Sequence, residues 1–244
     1  VSMIINTTTG KIIDDYKTRF GSEVTFRLDP QKVQQMVPQG NGQIEVKIPE
    51  ISYEQKLAFA KSDCLKETMF SAYYPGYGAN VKGIGQDEYD KLFNDPSGET
   101  HMQRVGGDDY YNVNIIVLGY SDNTPLNEFT KGTRQITSGR MYESDGECVI
   151  SEDFARLNGL KTGDTIEVTD TNKALKSSLK LVVSGIYFDA TKNTSGGGPL
   201  ASAPDQNRKN EIITNLATML KFKEALKTES PKSYEAMGIE PTYV

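Results

Sequence analysis

The amino-acid sequence predicts an α+β fold from three features of its hydrophobic pattern. First, short apolar segments with the pattern of β-strands recur along the chain, and residues 43–48 and 112–120 are the clearest of them. Second, residues 53–64 carry apolar side chains at helical spacing. Third, residues 138–189 combine both periods, and we interpret this stretch as strand, short helix, tight turn, strand, turn and strand.

The first half of this third stretch is defined by residues that begin and end a helix. The apolar run at 147–150 suits a strand, and Ser151 after it can accept a hydrogen bond from an amide in the first helical turn. Phe154 and Leu157 lie three residues apart, so we expect them to share one face of the helix. Gly159 is expected to end the helix, because glycine adopts the left-handed conformation without steric cost.

The second half of the stretch contains two β segments. A Gly-Asp pair at 163–164 predicts a turn. Residues 165–169 alternate, so that Ile166 and Val168 point to the same side. A further β run covers 179–188.

The remaining elements follow from the same reasoning. The helix at 53–64 begins with Ser52 and Gln55 at the spacing of a capping box. Pro75-Gly76 is expected to end the strand predicted at 68–74. Residues 191–210, with three consecutive glycines, are the most linker-like segment. We further predict strands at 24–28, 68–74 and 239–244, a continuation of the sheet at 81–84, helices at 12–20 and 87–93, and a strand leading into a helix over 212–226.

Composition and charge restrict the class of protein. The 244 residues can form one large domain or two small ones, and 36% hydrophobic with 25% charged residues is typical of a soluble globular protein. A net charge of −6 without a Lys/Arg cluster argues against a nucleic-acid-binding surface. No apolar run approaches the ~20 residues of a membrane helix, and no signal peptide is apparent.

Few residues are candidates for chemistry. His101 is the single histidine, and it has no partner at ligand or catalytic spacing, so we expect a solvated loop residue. Residues 106–109 resemble a fragment of a calcium loop but lack its other oxygen ligands, which favours a turn. The glycines at 83–85 and 196–198 lack the spacing of phosphate-binding loops. We therefore predict no catalytic residue, no metal site and no cofactor.

The two cysteines, Cys64 and Cys148, lie far apart in the sequence. A disulfide and a pair of buried thiols are both open, because spacing alone does not decide between them. We favour buried thiols, since cysteine is among the most buried residue types.

A cluster of aromatic residues forms the one candidate binding surface. It could line a groove for an apolar ligand or a partner, whereas tyrosines that flank strands are more commonly ordinary edge packing. The predicted surface consists of Tyr73, Tyr74, Tyr77, Tyr110 and Tyr111, with Met102 nearby.

The stretch 138–189 resembles the extracellular core domain of MacB/FtsX-type ABC-transporter permeases. In that family a glycine and an arginine precede a GEVVIS-like strand, and a short helix, an LGLKVGD-like turn, a strand and a VVGIY-like strand follow. Here the corresponding segments are SGR, GECVIS, LNGLKTGD and VVSGIY, and the specific match covers about a fifth of the chain. The matching residues are Gly139, Arg140, Gly146, Glu147, Val149, Ile150, Ser151, Leu157, Gly159, Leu160, Gly163, Asp164, Val183, Gly185 and Ile186, with Phe20, Gly21 and Val24 matching near the start.

The resemblance implies two α/β subdomains. A membrane-proximal one would comprise residues 1–120 and 211–244, and an inserted β-rich one residues 121–210. Arg140 matches the family's arginine, and we expect it to make a structural ion pair or backbone hydrogen bonds.

The resemblance also implies a function without catalysis. The chain would be a soluble domain, excised from a permease in the cell membrane, that lies on the extracellular or periplasmic side. It would couple ATP-driven movement of membrane helices to export of a substrate or to an extracellular partner. The implied partners are the transmembrane helices of the same permease, an ABC ATPase subunit on the cytoplasmic side that binds ATP, and a membrane-fusion protein, an exported substrate or a cell-wall hydrolase, with a dimeric full transporter.

One alternative function remains open on the sequence, and a third is not supported by it. The chain could be a secreted or cell-surface protein that binds a ligand in the tyrosine-lined groove, and a ligand titration distinguishes this case. A hydrolase would need a nucleophile and a base that converge, and the sequence offers no such set.

Overall fold

The structure is a computed structural model that describes residues 35–38, 44–47, 51–63, 65, 68–94, 113–121, 126–170, 178–191 and 203–243. The predicted α+β class is confirmed by a large mixed sheet accompanied by several helices. The strands are β1 (Gln35–Pro38), β2 (Ile44–Lys47), β3 (Thr68–Gly78), β4 (Ile115–Tyr120), β5 (Arg134–Gly139), β6 (Glu147–Ser151), β7 (Thr165–Thr169), β8 (Leu179–Asp189), β9 (Glu211–Asn215) and β10 (Gly238–Tyr243). The helices are α1 (Tyr53–Ala60), α2 (Gln86–Asn94), α3 (Asn127–Thr130), α4 (Glu152–Asn158), α5 (Leu216–Glu229) and α6 (Pro231–Ala236), with 3-10 turns at Pro204–Gln206 and Arg208–Asn210.

The chain divides into two compact units, one of residues 1–69 with 241–244 and one of residues 70–240. The predicted division, with 121–210 as an inserted subdomain, stays a prediction. Strands from that range and from the range around it lie in the same eight-stranded sheet. The helix predicted at 12–20 and the strand predicted at 24–28 lie outside the described residues.

The first unit contains the antiparallel pair β1–β2, in which Met36 lies opposite Val46. Helix α1 begins with the predicted capping box: the Ser52 amide donates to Gln55 Oε1 at 2.9 Å, and the Gln55 amide donates to Ser52 Oγ at 3.3 Å. The helix is shorter than predicted, because it ends at Ala60 and none of its residues is buried. The Lys-Ser-Asp sequence that follows favours turn conformations over a continued helix.

The second unit is built on a sheet with the strand order β10-β3-β4-β9-β6-β8-β5, and β7 pairs with both β3 and β8. These pairings close a ring of six strands, namely β3, β4, β9, β6, β8 and β7. The pairs β4–β9 and β6–β8 are parallel, and the other four pairs of the ring are antiparallel. A closed ring leaves few unpaired strand edges.

The core lies against this ring on two sides. On one side, buried residues that are paired between neighbouring strands form a row across the sheet. Helix α5 packs on this row, and its Phe222 ring lies edge-on to the Tyr74 ring, with 5.3 Å between the ring centroids. The opposite face of β6, β8 and β9 buries Val149, Tyr187 and Ile213 beneath residues of the 126–142 segment. The first row consists of Tyr74, Val117, Ile212 and Ile150.

Several predicted elements are confirmed in this unit. Strand β4 is buried on both faces, as its apolar run indicates. The strand-to-helix transition at 212–226 is direct, because Asn215 ends β9 and caps α5 by accepting a hydrogen bond from the Thr218 amide at 2.8 Å. The predictions at 87–93 and 239–244 correspond to α2 and β10.

Two predictions about the region around β3 are wrong. The strand continues through Pro75-Gly76 to Gly78, because Gly76 there provides close packing rather than a turn: a Cβ at this position would lie 2.9 Å from the Tyr74 ring. Residues 81–84 form a loop instead of a strand, and Asn158 and Asn210 side chains bind its backbone.

None of the helices in the described part of the chain has the length and hydropathy to cross a lipid bilayer.

Candidate functional site

The stretch 138–189 forms β6, α4, a turn, β7 and β8 in the predicted order. Its turn is hydrogen-bonded to β8, because the Gly163 amide donates to the Val183 carbonyl and the Val183 amide donates to the Asp164 carbonyl, both at 2.8 Å. The Asp164 carboxylate also accepts a hydrogen bond from the Lys161 amide at 2.8 Å. Ile166 and Val168 are fully buried, as their alternation predicts.

Helix α4 begins and ends at the predicted residues. Ser151 Oγ accepts a hydrogen bond from the Phe154 amide at 3.1 Å, and Gly159 adopts a left-handed φ of 64°. Phe154 and Leu157 lie three residues apart in this helix, and they differ in burial: Phe154 is fully buried, whereas Leu157 is 47% exposed. In a helix of seven residues Ala155 takes the second buried position, so Leu157 is left at the surface.

We expect Ser151→Ala to lower the free energy of unfolding by about 1 kcal/mol, because the helix loses its cap. The Ser151 hydroxyl also donates to the Lys209 carbonyl at 2.7 Å, so the variant also leaves this acceptor without its donor. Urea denaturation measures the change. Ser151→Thr keeps the hydroxyl and serves as the control, and an unchanged midpoint for Ser151→Ala would contradict the role of the cap.

Arg140 makes the structural ion pair that the sequence predicts. Its guanidinium donates to both carboxylate oxygens of Glu147, at 2.9 and 2.5 Å, and to the Met141 carbonyl. Glu147 also accepts hydrogen bonds from the backbone amides of Glu143 and Ser144. The hydrogen bonds from Arg140 and from these amides lower the pKa of Glu147 to about 2. The pair thus holds the 140–147 loop against the start of β6.

Two glycines of the resemblance are explained by close contact between β5 and β8. A Cβ at Gly185 would lie 2.2 Å from the Arg140 carbonyl oxygen, and a Cβ at Gly139 would lie 2.2 Å from the Ser184 carbonyl oxygen. The Arg140 amide donates to the same Ser184 carbonyl at 2.9 Å. Backbone lies directly on backbone at this point, so the two strands are held closely together.

The predicted tyrosine surface is only in part described. Tyr73 and Tyr77 lie on one face of β3, and Tyr73 is 46% exposed. Tyr74 lies on the opposite face, where it is buried against Phe222. Tyr110 and Tyr111 lie outside the described residues, so the surface as a whole stays a prediction.

Most other candidates also lie outside the described residues. These are His101, Cys64 and the glycine-containing segments at 106–109 and 196–198. Cys148 is fully buried, and burial raises the pKa of its thiol. In the described part of the chain, no group of three or more His, Cys, Asp or Glu side chains could hold a metal ion.

The glycines at 83–85 lie beside a surface cavity of about 600 Å³. The amides of Lys82, Gly83 and Ile84 already donate to the side chains of Asn158, Gln86 and Asn210. The cavity's cations are paired with acids: Lys82 bonds Asp87 at 2.5 Å, and Arg156 and Lys209 both bond Asp153. The three cations that line the cavity thus already have carboxylate partners, and three amides of the loop already have acceptors.

A partly buried group of charged side chains was not predicted from the sequence. The Arg134 guanidinium donates from Nε to Asp189 at 2.9 Å and from Nη2 to Glu211 at 2.6 Å, and its Nη1 lies 3.2 Å from Glu128. The Arg134 side chain is only 2% exposed. We use the name Arg134 cluster for Glu128, Arg134, Asp189, Arg208 and Glu211.

Further contacts complete the Arg134 cluster. Arg208 donates to Glu128 at 2.6 Å, and its Nε lies 3.4 Å from Asp189. The Arg134 guanidinium lies 5.1 Å from the centroid of the Tyr187 ring, within the range of a cation–π contact. Burial alone would raise the pKa of Asp189, but hydrogen bonds from Thr191 and the charge of Arg134 hold it below its ordinary value.

Comparisons with known proteins add little to this description. No family model matches the chain, and no curated protein matches it. Among solved structures, the chain is similar to a domain of a suspected permease protein from Porphyromonas gingivalis, with 12% sequence identity and a TM-score of 0.30. The similarity covers 74% of this chain and 72% of that one. At this identity and TM-score, we base no inference on the likeness.

Proposed function

We propose that this chain is a non-catalytic domain of an ABC-transporter permease. It lies on the extracellular or periplasmic side and relays the movement of membrane helices to an exported substrate or to an extracellular partner. The observation that supports the proposal is structural: the residues that resemble MacB/FtsX-type permeases make the contacts that connect neighbouring strands. Arg140 ties the end of β5 to β6 through Glu147, and Gly139 and Gly185 let the backbones of β5 and β8 pack directly on each other.

Stiffness is what such a relay requires. A domain that passes on a displacement must move as a unit about its connections, because an element that yields would absorb the movement. Three features of the β6–α4–β7–β8 segment favour stiffness, namely the capped helix, the hydrogen-bonded turn and the Arg140–Glu147 pair. The polar groups of the resemblance thus have structural partners inside the unit.

The proposal predicts that the purified chain does not hydrolyse ATP above background, because its role is mechanical. In the permease that contains it, deletion of residues 1–244 is expected to abolish export, while the basal ATP hydrolysis of the ATPase subunit persists. A phosphate-release assay on the chain and on the assembled transporter measures both. The gene of this permease should encode membrane-spanning segments on both sides of the segment that corresponds to residues 1–244.

The control is a pair of glycine substitutions in the full permease. Gly185→Ala pushes a methyl group against the Arg140 carbonyl, whereas Gly238→Ala meets no atom within 4 Å. Export is expected to fall with Gly185→Ala and to persist with Gly238→Ala. ATP hydrolysis by the isolated chain, or a gene without flanking membrane spans, would contradict the proposal.

The alternative function is ligand binding at the tyrosine surface. Tyr73 and Tyr77 on the outer face of β3 support it, and the buried position of Tyr74 does not. A titration of the chain with apolar ligands, compared with Tyr73→Ala, tests this alternative. Saturable binding that the variant loses would favour it.

A further inference from the structure

The Arg134 cluster contains more negative than positive charge. Its carboxylates belong to Glu128, Asp189 and Glu211, and its cations are Arg134 and Arg208. The Arg134, Asp189 and Glu211 side chains are 2%, 1% and 18% exposed, so these three charges are largely removed from water, whereas Glu128 and Arg208 are 44% and 30% exposed. Three carboxylates thus share two cations, and in the buried part of the cluster Asp189 and Glu211 both bond the single guanidinium of Arg134.

The Arg134 cluster joins five separate parts of the unit. It links α3, β5, the end of β8, the 3-10 turn at Arg208–Asn210 and the start of β9. Its state of charge therefore affects how firmly these parts are held together. In the described part of the chain, the charged and titratable groups that act on Glu211 are Arg134 on β5, Tyr187 on β8, Glu128 on α3, Arg208 in the turn and Tyr120 on β4.

The three carboxylates differ in how well their charge is stabilised. Asp189 accepts hydrogen bonds from Arg134 and from both donors of Thr191. Glu128 bonds Arg208 and is 44% exposed, so water also solvates it. Glu211 has a hydrogen bond from Arg134 but is only 18% exposed. Burial raises the pKa of Glu211, although the charge and hydrogen bond of Arg134 oppose this effect.

We propose that Glu211 is a proton switch within this unit. As the medium becomes acidic, its carboxylate takes up one proton, which balances the charge of the Arg134 cluster and tightens the contact of α3 and β9 with β5 and β8. The switch does not depend on the proposed permease function. In an extracellular setting it would make the stiffness of the unit respond to external pH.

The direction of the pH effect follows from linkage. The pKa of Glu211 is higher in the folded chain than in the unfolded one, so the folded state takes up the proton first as the pH falls. The stabilisation by this proton is complete below the ordinary glutamate pKa of about 4.3 and is lost as the pH rises through the folded value. Within this window the folding equilibrium constant changes by up to about tenfold per pH unit.

Glu211→Gln tests the proposal, because glutamine is neutral at every pH and can still accept the hydrogen bond from Arg134. Urea denaturation from about pH 5 to about pH 8 is expected to show a more stable variant at the alkaline end. The two proteins should converge as the pH falls. Glu88→Gln, on the exposed first turn of α2, is the control and should follow the unmodified chain.

A second measurement needs no variant. The ¹³C resonance of the Glu211 carboxyl group, assigned in the labelled chain, is expected to titrate above the ordinary glutamate range. After correction for the intrinsic exchange rate at each pH, the protection of the α3 and β5 amides should increase as the pH falls through the same interval. A Glu211 resonance that titrates at or below about pH 4.3, or parallel stability profiles for the unmodified chain and Glu211→Gln, would overturn the proposal.

Discussion

Arg134→Met is expected to lower the free energy of unfolding by about 3–5 kcal/mol, because it leaves buried charges without their partner. Asp189 and Glu211 each accept a hydrogen bond from this guanidinium, and the Asp189 carboxylate is almost completely buried. Methionine fills a similar length but supplies no donor, so the loss reports the charge rather than a cavity. Urea denaturation at neutral pH measures it.

Arg156→Met is the matched control. Arg156 also bonds a carboxylate, that of Asp153, but its side chain is 74% exposed. Exposed ion pairs contribute about 0–1 kcal/mol, so this variant should unfold close to the unmodified chain. If both substitutions had the same effect, the Arg134 cluster would not be the buried unit that its geometry indicates.

The Arg134 cluster also makes a prediction about signs. Removal of its central cation destabilises the unit, whereas removal of its surplus negative charge by Glu211→Gln is expected to stabilise it at neutral pH. Both substitutions remove one charge from the same ion-pair network. If the two substitutions change the free energy of unfolding in opposite directions, the stability of the cluster depends on its net charge and not only on its number of ion pairs.

Local signals in the sequence predict local structure well here. Ser151 and Gly159 bound helix α4, and Ile166 and Val168 point to the core, because caps, left-handed glycines and strand alternation act over a few residues. The Arg140 ion pair belongs to the same class, since its partner Glu147 is seven residues away. Each of these features is encoded by residues that are close together in the sequence.

Features that join distant parts of the chain were not predicted. The ring of six strands closes through the pairing of Tyr77 with Thr169, and Arg134 finds its acids 55 and 77 residues away. Such contacts depend on topology, which no short pattern contains. The misplaced end of β3 has a different cause, because Gly76 marks a close approach of side chains rather than a turn.

One aspect of the tyrosine surface was available from the sequence. Tyr73 and Tyr74 are neighbours on a predicted strand, and consecutive side chains of a strand point to opposite faces. A groove that used both would need a bulge between them, and the burial of β3 alternates regularly instead. Applied to the predicted strand, the alternation rule already places Tyr73 and Tyr74 on opposite faces of the sheet.

Gly139→Ala is expected to lower the free energy of unfolding by about 2–5 kcal/mol, because two effects add at this position. Gly139 has a φ of 70°, which an L-residue adopts at a cost of about 1–2 kcal/mol. Its Cβ would also lie 2.2 Å from the Ser184 carbonyl oxygen and 2.7 Å from a methyl group of Thr162. Relief of that overlap requires β5 to move away from β8.

Gly159→Ala isolates the first effect. Gly159 has nearly the same φ, 64°, but a Cβ there meets no atom within 4 Å. This variant should lose only about 1–2 kcal/mol, so the difference between the two alanine variants measures the contact between β5 and β8. Urea denaturation of both gives that difference directly. Equal losses would mean that the two strands can separate at little cost, and a joint that yields so easily could not pass on a displacement.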